Sequence, residues 1–202
     1  AADGKKGRVL KPFFYRLKRA KAKIEAVAVD FGKAYLTAVR KYLPKAKLVF
    51  DRFHLVKLFN EKLTQLRRDL YREATGPLKQ HFRAVLQGAR WLLLKRPDDL
   101  DDSRDESARL EKALRLNQPL ATAYYLKEDL RQFWEQPSKE QAWRFLAQWY
   151  QAMQQSGVPI LIRFGSFVLE HWEGLLAWYD HPISTGPLEG TNNKIKTMQR
   201  QA

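Results

Sequence analysis

The stretch IEAVAVDFGKAYLTAVRKYLPKAKLVFD, residues 24–51, decides the fold. Its first six residues hold a short β-branched run of the length and composition typical of a strand. Apolar side chains then repeat with a helical period until Pro44, and a second apolar run ends at Asp51. A strand, a helix and a strand joined by so short a crossover predict a parallel βαβ unit.

An aspartate follows each predicted strand, Asp30 after the first and Asp51 after the second. In open α/β sheets, ligands and catalytic groups gather at the carboxyl ends of the strands. A structural alternative exists for each residue, because an aspartate after a strand is commonly a helix N-cap or a turn residue.

The remainder of the chain is mostly helical in pattern. A basic helix is predicted over residues 12–23, with Phe13, Phe14 and Leu17 as its apolar stripe. A second amphipathic helix follows the βαβ unit, and its apolar stripe consists of Leu55, Phe59, Leu63, Leu66 and Leu70. Further helices are predicted over residues 82–93, 105–116, 119–135, 139–155 and 159–179.

Positive charge is concentrated in the first part of the chain. The net charge is +15, and residues 1–50 carry 14 Lys and Arg against three acidic residues. Such a local field favours binding of a polyanion, although charge that serves only solubility is the alternative. The absence of Cys excludes disulfides, thiolate zinc sites and Cys nucleophiles, and fits a reducing cytoplasm. Neither a membrane span nor a signal peptide is expected.

One acidic residue, Glu189, lies in the C-terminal stretch STGPLEGTNNKIK, residues 184–196. A glutamate in the first turn of a helix is explained by capping alone. Capping gives no reason, however, for Asn192, Asn193 and Lys196 to share its helical face. A site that binds a phosphodiester would use all four side chains.

Asp30, Asp51 and Glu189 are suitably placed carboxylates for a magnesium site. Hard oxygen ligands bind Mg²⁺, and two such ions about 3.5–4 Å apart can clamp the attacking and leaving oxygens of a phosphodiester. Spacing along the sequence does not show whether these three residues meet.

Two blocks, AVAVDFGKAYLTAVRKYLPKAKLVFDRFHLVK (26–57) and TGPLEGTNNKIKTMQRQA (185–202), together resemble the DDE transposases of the ISL-three group of bacterial insertion sequences. The resemblance implies an α/β fold, namely a partial ribonuclease-H-like core of a short parallel sheet with flanking helices, carrying a large all-helical insertion. The implied segments are 1–54 for the core, 55–180 for the insertion and 181–202 for the returning catalytic helix.

The resemblance also implies DNA transposition, with magnesium-dependent cleavage and strand transfer at the ends of the insertion sequence. Glu189 matches the final acidic residue of the family, and Asp30 matches the second member of its triad. Asp51 and His54 match a D-R-F-H block, in which Asp51 ranks below Asp30 as a metal ligand and His54 would orient phosphate or water.

In such a fold the first catalytic Asp precedes a three-stranded meander, and only 29 residues precede Asp30. We therefore expect a truncated catalytic fragment, inactive alone, whose intact enzyme uses two magnesium ions that the fragment need not bind. In the competing assignment, Asp30, Asp51 and Glu189 form a complete triad.

The implied partner is double-stranded DNA, both terminal inverted repeats and target, bound by a homodimer in the bacterial cytoplasm. The predicted DNA-contacting residues are Arg16, Lys18, Arg19, Lys21, Lys57, Lys62, Arg67, Arg68, Arg72, Asn192, Asn193 and Lys196. The alternatives are a non-catalytic basic helical protein that binds DNA or acts as a scaffold, and a remnant of a decayed element without function.

Overall fold

The computed structural model describes residues 10–186 and Met198. The chain divides into two compact units, of which the first comprises the residues up to Leu55 and those from His171 on. The second unit is Val56–Glu170. The described part is mostly helical with a small parallel sheet, which places it in the α/β class.

The sheet of the first unit has two strands, β1 (Ala26–Val29) and β2 (Lys47–Phe50). They pair in parallel, with Ala26 opposite Lys47 and Val29 opposite Phe50. Helix α2 (Lys33–Tyr42) connects them. The predicted βαβ unit is therefore confirmed.

Helix α1 (Lys11–Arg19) precedes the sheet and is shorter than the predicted helix over 12–23. Its Phe14 ring is buried and stacks on Tyr42 of α2, with ring centroids 4.9 Å apart. Phe13, predicted to share the apolar stripe, is instead 55% exposed. Only one aromatic residue of α1 therefore contributes to the buried core of this unit.

Helix α9 (Trp172–Leu176) packs against β2 at unusually close range. A Cβ placed on Gly174 would lie 2.3 Å from Cδ2 of Phe50. The Phe50 ring also stacks on the Phe31 ring, with centroids 4.5 Å apart, and meets the His171 ring in a T-shaped contact, with centroids 5.1 Å apart. Only a residue without a side chain fits position 174.

The second unit is a helical assembly that shares helix α3 with the first, since the boundary between the units falls within that helix. Its helices are α3 (Arg52–Glu73), α4 (Lys79–Gly88), α5 (Glu106–Leu116), α6 (Gln118–Arg131), α7 (Lys139–Gln155) and α8 (Pro159–Glu170). Short 3₁₀ turns lie at Leu92–Leu94, Pro97–Asp99, Asp102–Arg104 and Gln132–Glu135, and the first unit has one at Ala177–Tyr179.

An aromatic cluster fills the core of the second unit. Phe59 of α3 contacts Trp149 of α7 and Phe164 of α8, with ring centroids 6.0 and 4.9 Å away. The Trp149 indole Nε1 donates to the carbonyl of Leu126 at 2.8 Å, so its polar atom is satisfied inside the core.

A buried lysine, Lys127, holds the turn after α4. Its side chain has no exposed surface, and its ammonium donates to the carbonyls of Leu93 and Lys95 at 2.9 and 3.2 Å. Glu128 supplies the opposite charge at 2.5 Å. Burial lowers the pKa of Lys127, against the opposing effect of Glu128.

Several predicted helices differ in length from those observed. The helix predicted over 82–93 ends at Gly88, and Leu93 lies in a 3₁₀ turn. The helix predicted over 159–179 is interrupted at His171, between α8 and α9. Local periodicity continues through both breaks, so it gave no sign of them. Among the described residues, no helix is both long and apolar enough to cross a bilayer.

Replacing Gly174 with Ala is expected to destabilise the protein by about 1–3 kcal/mol, because the added methyl group overlaps the fixed ring of Phe50. Urea unfolding followed by circular dichroism measures the change. Gly88→Ala is the matched control, since its Cβ would meet nothing closer than 3.6 Å. Equal stability of Gly174→Ala and wild type would contradict the packing described.

Candidate functional site

The two aspartates that follow the strands lie side by side at one edge of the sheet. Val29 and Phe50 are paired in the register, so Asp30 and Asp51 each come directly after a paired position. The Asp51 N–H continues the ladder by donating to the carbonyl of Val29 at 3.2 Å. Parallel pairing thus brings both residues to the carboxyl edge, as the sequence predicted.

Asp30 forms a local turn. Its Oδ1 accepts a hydrogen bond from the N–H of Gly32 at 2.9 Å, which orients the chain into α2. No donor among the described residues reaches its Oδ2, and the side chain is half-buried. Asp30 therefore has the role of a turn residue and keeps one carboxylate oxygen available for a ligand.

Asp51 is far more constrained than Asp30. Its side chain is 1% exposed, and Oδ1 accepts from the N–H of Phe53 at 2.7 Å, in the manner of an N-cap of α3. Its Oδ2 accepts from both the N–H and the hydroxyl of Thr185, at 2.5 and 3.0 Å. Both oxygens are occupied, and Asp51 ties the end of β2 to the segment just before residue 189.

Charge at Asp51 is favoured by its donors. Burial alone would raise the pKa of this carboxyl group, but hydrogen bonds from Thr185 and Phe53, with the charge of His54, lower it below its ordinary value. The group is thus held ionised inside the protein by three donated hydrogen bonds.

His54 lies beside this carboxylate. Its Nδ1 is 3.9 Å from Oδ1 of Asp51, and its imidazole contacts the edge of Phe53 at a centroid distance of 5.9 Å. The side chain is 21% exposed, so it is neither fully buried nor projected into solvent. This position suits a residue packed on the strand end, and the orienting role stays a prediction.

Glu189, Asn192, Asn193 and Lys196 lie outside the described residues. Within residues 10–186, no cluster of three or more His, Asp or Glu has an arrangement suited to a metal ion. The described edge of the sheet thus supplies two acidic residues, and only Asp30 among them has an oxygen without a donor. A carboxylate oxygen is the donor that Mg²⁺ prefers, so Asp30, with one oxygen that no described donor reaches, suits such an ion better than Asp51, whose oxygens accept three hydrogen bonds.

Most predicted DNA-contacting residues in the described part are exposed. Arg16, Lys18, Arg19 and Lys21 of the first unit are all on the surface, as are Lys57, Lys62, Arg68 and Arg72 of α3. Arg67 is different, because only 8% of it is exposed. Arg67 follows Leu63 by four residues, so both lie on the same face of α3 as the predicted apolar stripe. This spacing is the signal in the sequence that could have indicated its burial.

The residue that the sequence did not single out is Thr185. In the sequence it is one residue of a turn-forming run, and its partner Asp51 is 134 residues away in the chain. Ser184 adds to this local structure by accepting a hydrogen bond from the N–H of Gly186 at 3.1 Å.

Comparison with known proteins identifies the class of protein as a transposase. The sequence model of the ISL3 family, described as "Transposase", matches residues 1–202, and the chain belongs to this family. The transposase for insertion sequence element IS1001 of Bordetella parapertussis is 35% identical over 206 residues, covering 98% of the chain and 48% of that protein.

A second relative is the transposase for insertion sequence element IS1557 of Mycobacterium tuberculosis. It is 28% identical over 223 residues, covering 100% of the chain and 49% of that protein. The chain therefore spans about half the length of the curated relatives it matches. No solved structure matches the chain.

Asp51→Asn is expected to destabilise the protein by about 2–3 kcal/mol near neutral pH, because charge-assisted hydrogen bonds are lost and an amide would face the Thr185 N–H. Thr185→Val removes one of these bonds, that of the hydroxyl, and should cost about 1 kcal/mol. Denaturant unfolding at neutral pH measures both.

The difference in free energy of unfolding between wild type and Asp51→Asn should shrink as the pH falls. Because the folded pKa of Asp51 is below its unfolded value, its contribution is complete above about pH 4 and is lost as pH falls through the folded pKa. Asp98→Asn, at an exposed carboxylate, is the control and should show no such difference. A gap between wild type and Asp51→Asn that widens on acidification would refute the assignment.

Proposed function

We propose that this chain forms part of the catalytic domain of a DDE transposase, which cleaves and rejoins DNA phosphodiester bonds at the ends of an insertion sequence. Membership of the ISL3 family and the names of the relatives support DNA transposition. The observation that carries the catalytic part of the proposal is the placement of Asp30 beside Asp51 at the carboxyl edge of the sheet.

The parallel pair β1 and β2 with its connecting helix α2 would belong to a ribonuclease-H-like core. Thr185, anchored by Asp51, is four residues ahead of Glu189 in the sequence. An anchor at this point limits how far residue 189 can lie from the strand ends, since each residue spans at most about 3.6 Å. Glu189 is therefore within reach of Asp30 by chain length.

Asp30 and Glu189 are the proposed ligands of magnesium, and the free oxygen of Asp30 supports its part. Bound magnesium would stabilise negative charge that develops on the phosphate and on the attacking and leaving oxygens. The predicted third ligand, Asp51, has less support, because its oxygens already accept three hydrogen bonds. We assign Asp51 the role of positioning the segment that leads to Glu189.

The proposed reaction has two steps. A water oxygen first attacks the phosphorus at the element end, the P–O3′ bond breaks, and the 3′ oxygen takes a proton to become a hydroxyl. That hydroxyl then attacks a phosphorus of target DNA, forming a new P–O3′ bond while the target's own 3′ oxygen departs and is protonated. His54, half-buried beside Asp51, would orient the phosphate or the water.

Asp30→Asn and Glu189→Gln are each expected to lower strand cleavage by about 10³-fold or more, since loss of a metal ligand removes several kcal/mol of stabilisation from the transition state. The assay uses the longest natural protein that contains this chain, with a labelled duplex carrying the element end and added Mg²⁺.

Glu140→Gln is the matched control, because Glu140 is an exposed acid whose partner among the described residues is the exposed Arg144. Cleavage at the wild-type rate in either Asp30→Asn or Glu189→Gln would reject the ligand assignment. Asp51→Asn distinguishes a metal ligand from a positioning residue. If Asp51 only positions the segment, this variant should retain measurable cleavage at a temperature where it is folded.

A non-catalytic DNA-binding protein is the second candidate, and the exposed basic residues of α1 favour it. It predicts duplex binding that weakens steeply with salt, is unaffected by magnesium and is accompanied by no cleavage.

A further inference from the structure

Four arginines surround one cavity of the second unit. The cavity has a volume of about 330 Å³ and is lined by Arg67, Arg68, Tyr71, Arg72, Gln87 and Arg90. The first four of these residues are on α3, and the other two are on or just after α4. None of the lining residues is acidic, so the cavity carries a strong positive charge.

Arg67 lies at the buried side of this cavity. Its guanidinium donates one hydrogen bond, from NH1 to the carbonyl of Leu86 at 3.3 Å, while its buried Nε has no acceptor among the described residues. Burial and the neighbouring charges of Arg90 and Arg68 lower the pKa of Arg67. A buried guanidinium without an anion is costly, and no carboxylate among the described residues pairs with Arg67.

The other arginines of the cavity also have few anionic partners. Within the described part of the chain, Arg68 and Arg90 form no ion pair, and Arg72 approaches a carboxylate, that of Asp69, only at 3.6 Å on the exposed surface. Arg90 is positioned by stacking on Trp91, with its guanidinium 4.4 Å from the ring centroid. Apart from this exposed pair, no carboxylate among the described residues neutralises the arginines of the cavity.

Local contacts join the two helices that border the cavity. Arg83 of α4 donates to the carbonyls of Tyr71 and Arg72, at 2.9 and 3.4 Å, and its guanidinium lies 5.0 Å from the Tyr71 ring centroid. These bonds fasten the end of α3 to α4. A preformed site of this kind loses less entropy when it binds a ligand.

We propose that this cavity binds one backbone phosphate of double-stranded DNA. The guanidinium fork matches the oxygens of a phosphate, and the side chains of Gln87 and Tyr71, which also line the cavity, carry groups that can donate. A volume of about 330 Å³ leaves room for a phosphodiester group. The contact would position DNA without reading its sequence.

This inference rests on the proposed function for the identity of the polyanion, and it adds a defined phosphate site with Gln87 and Arg90, which the sequence did not indicate. Binding is therefore tested separately from cleavage, with the full chain in EDTA and a fluorescein-labelled duplex of arbitrary sequence. The variants are Arg68→Gln, Arg90→Gln and their double variant, and the control is Arg144→Gln, which removes one exposed arginine of α7.

The double variant should bind the duplex about tenfold more weakly at low salt. The slope of log affinity against log salt should fall by about 0.9, the value for one lost phosphate contact. Arg144→Gln should keep the wild-type slope. Melting temperatures of Arg68→Gln and Arg90→Gln without DNA should equal or exceed that of wild type, because like-charge repulsion is relieved.

Three outcomes would overturn the inference. The first is an unchanged salt slope in the double variant, and the second is an equal loss of duplex affinity in Arg144→Gln. The third is that inorganic phosphate at constant ionic strength stabilises the wild type but not the Arg68 and Arg90 variants, while these variants bind the duplex as the wild type does. The last outcome would assign the cavity to a small anion. Absence of cleavage in Mg²⁺ with the binding result intact would count against the proposed function and leave the phosphate site standing.

Discussion

The hydrogen bonds between Asp51 and Thr185 join residues that are 134 positions apart, and they connect the two chain segments that make up the first unit. The entropy cost of closing a flexible loop rises by only about 0.6 kcal/mol for each doubling of its length. The stabilisation from two charge-assisted hydrogen bonds to a buried carboxylate exceeds this added entropy cost. A long insertion in the sequence is therefore compatible with a fixed position of Thr185 at the end of β2. The buried carboxylate of Asp51 therefore fixes Thr185 at the strand end, in addition to the packing of α9 on β2.

The part of the fold that could be predicted from the sequence is the part determined by local pattern. β-Branched residues, a helical repeat and Pro44 specify the βαβ unit, and Ser138, three residues before Gln141 as in a capping box, caps α7 by accepting from the Gln141 N–H at 3.2 Å. The break at His171 was missed, because it arises where α9 packs on Phe50 and not from any local breaker. Tertiary packing decided what periodicity could not.

The candidate site shows the same division. Both aspartates could be placed at the edge of the sheet from strand order alone, since parallel strands must end on one side. Their different roles could not be predicted, because two of the three hydrogen bonds that Asp51 accepts come from Thr185, in a distant segment whose sequence indicates only a turn. Similarly, Arg67 was grouped with exposed basic residues, although the proximity of Leu86 and Arg90 in space makes its environment unlike theirs.

The buried ammonium of Lys127 has a consequence for chemical labelling. Its Nζ is enclosed by the carbonyls of Leu93 and Lys95 and by Glu128, whereas an amine reagent must reach a free, uncharged amine in solvent. Acylation at this position can proceed only when the surrounding helices separate, so its rate reports local opening of the second unit. Surface lysines such as Lys57 supply the reference acylation rate in the same sample. The ratio of the two rates, measured by peptide mass spectrometry, therefore reports how often the helical core opens.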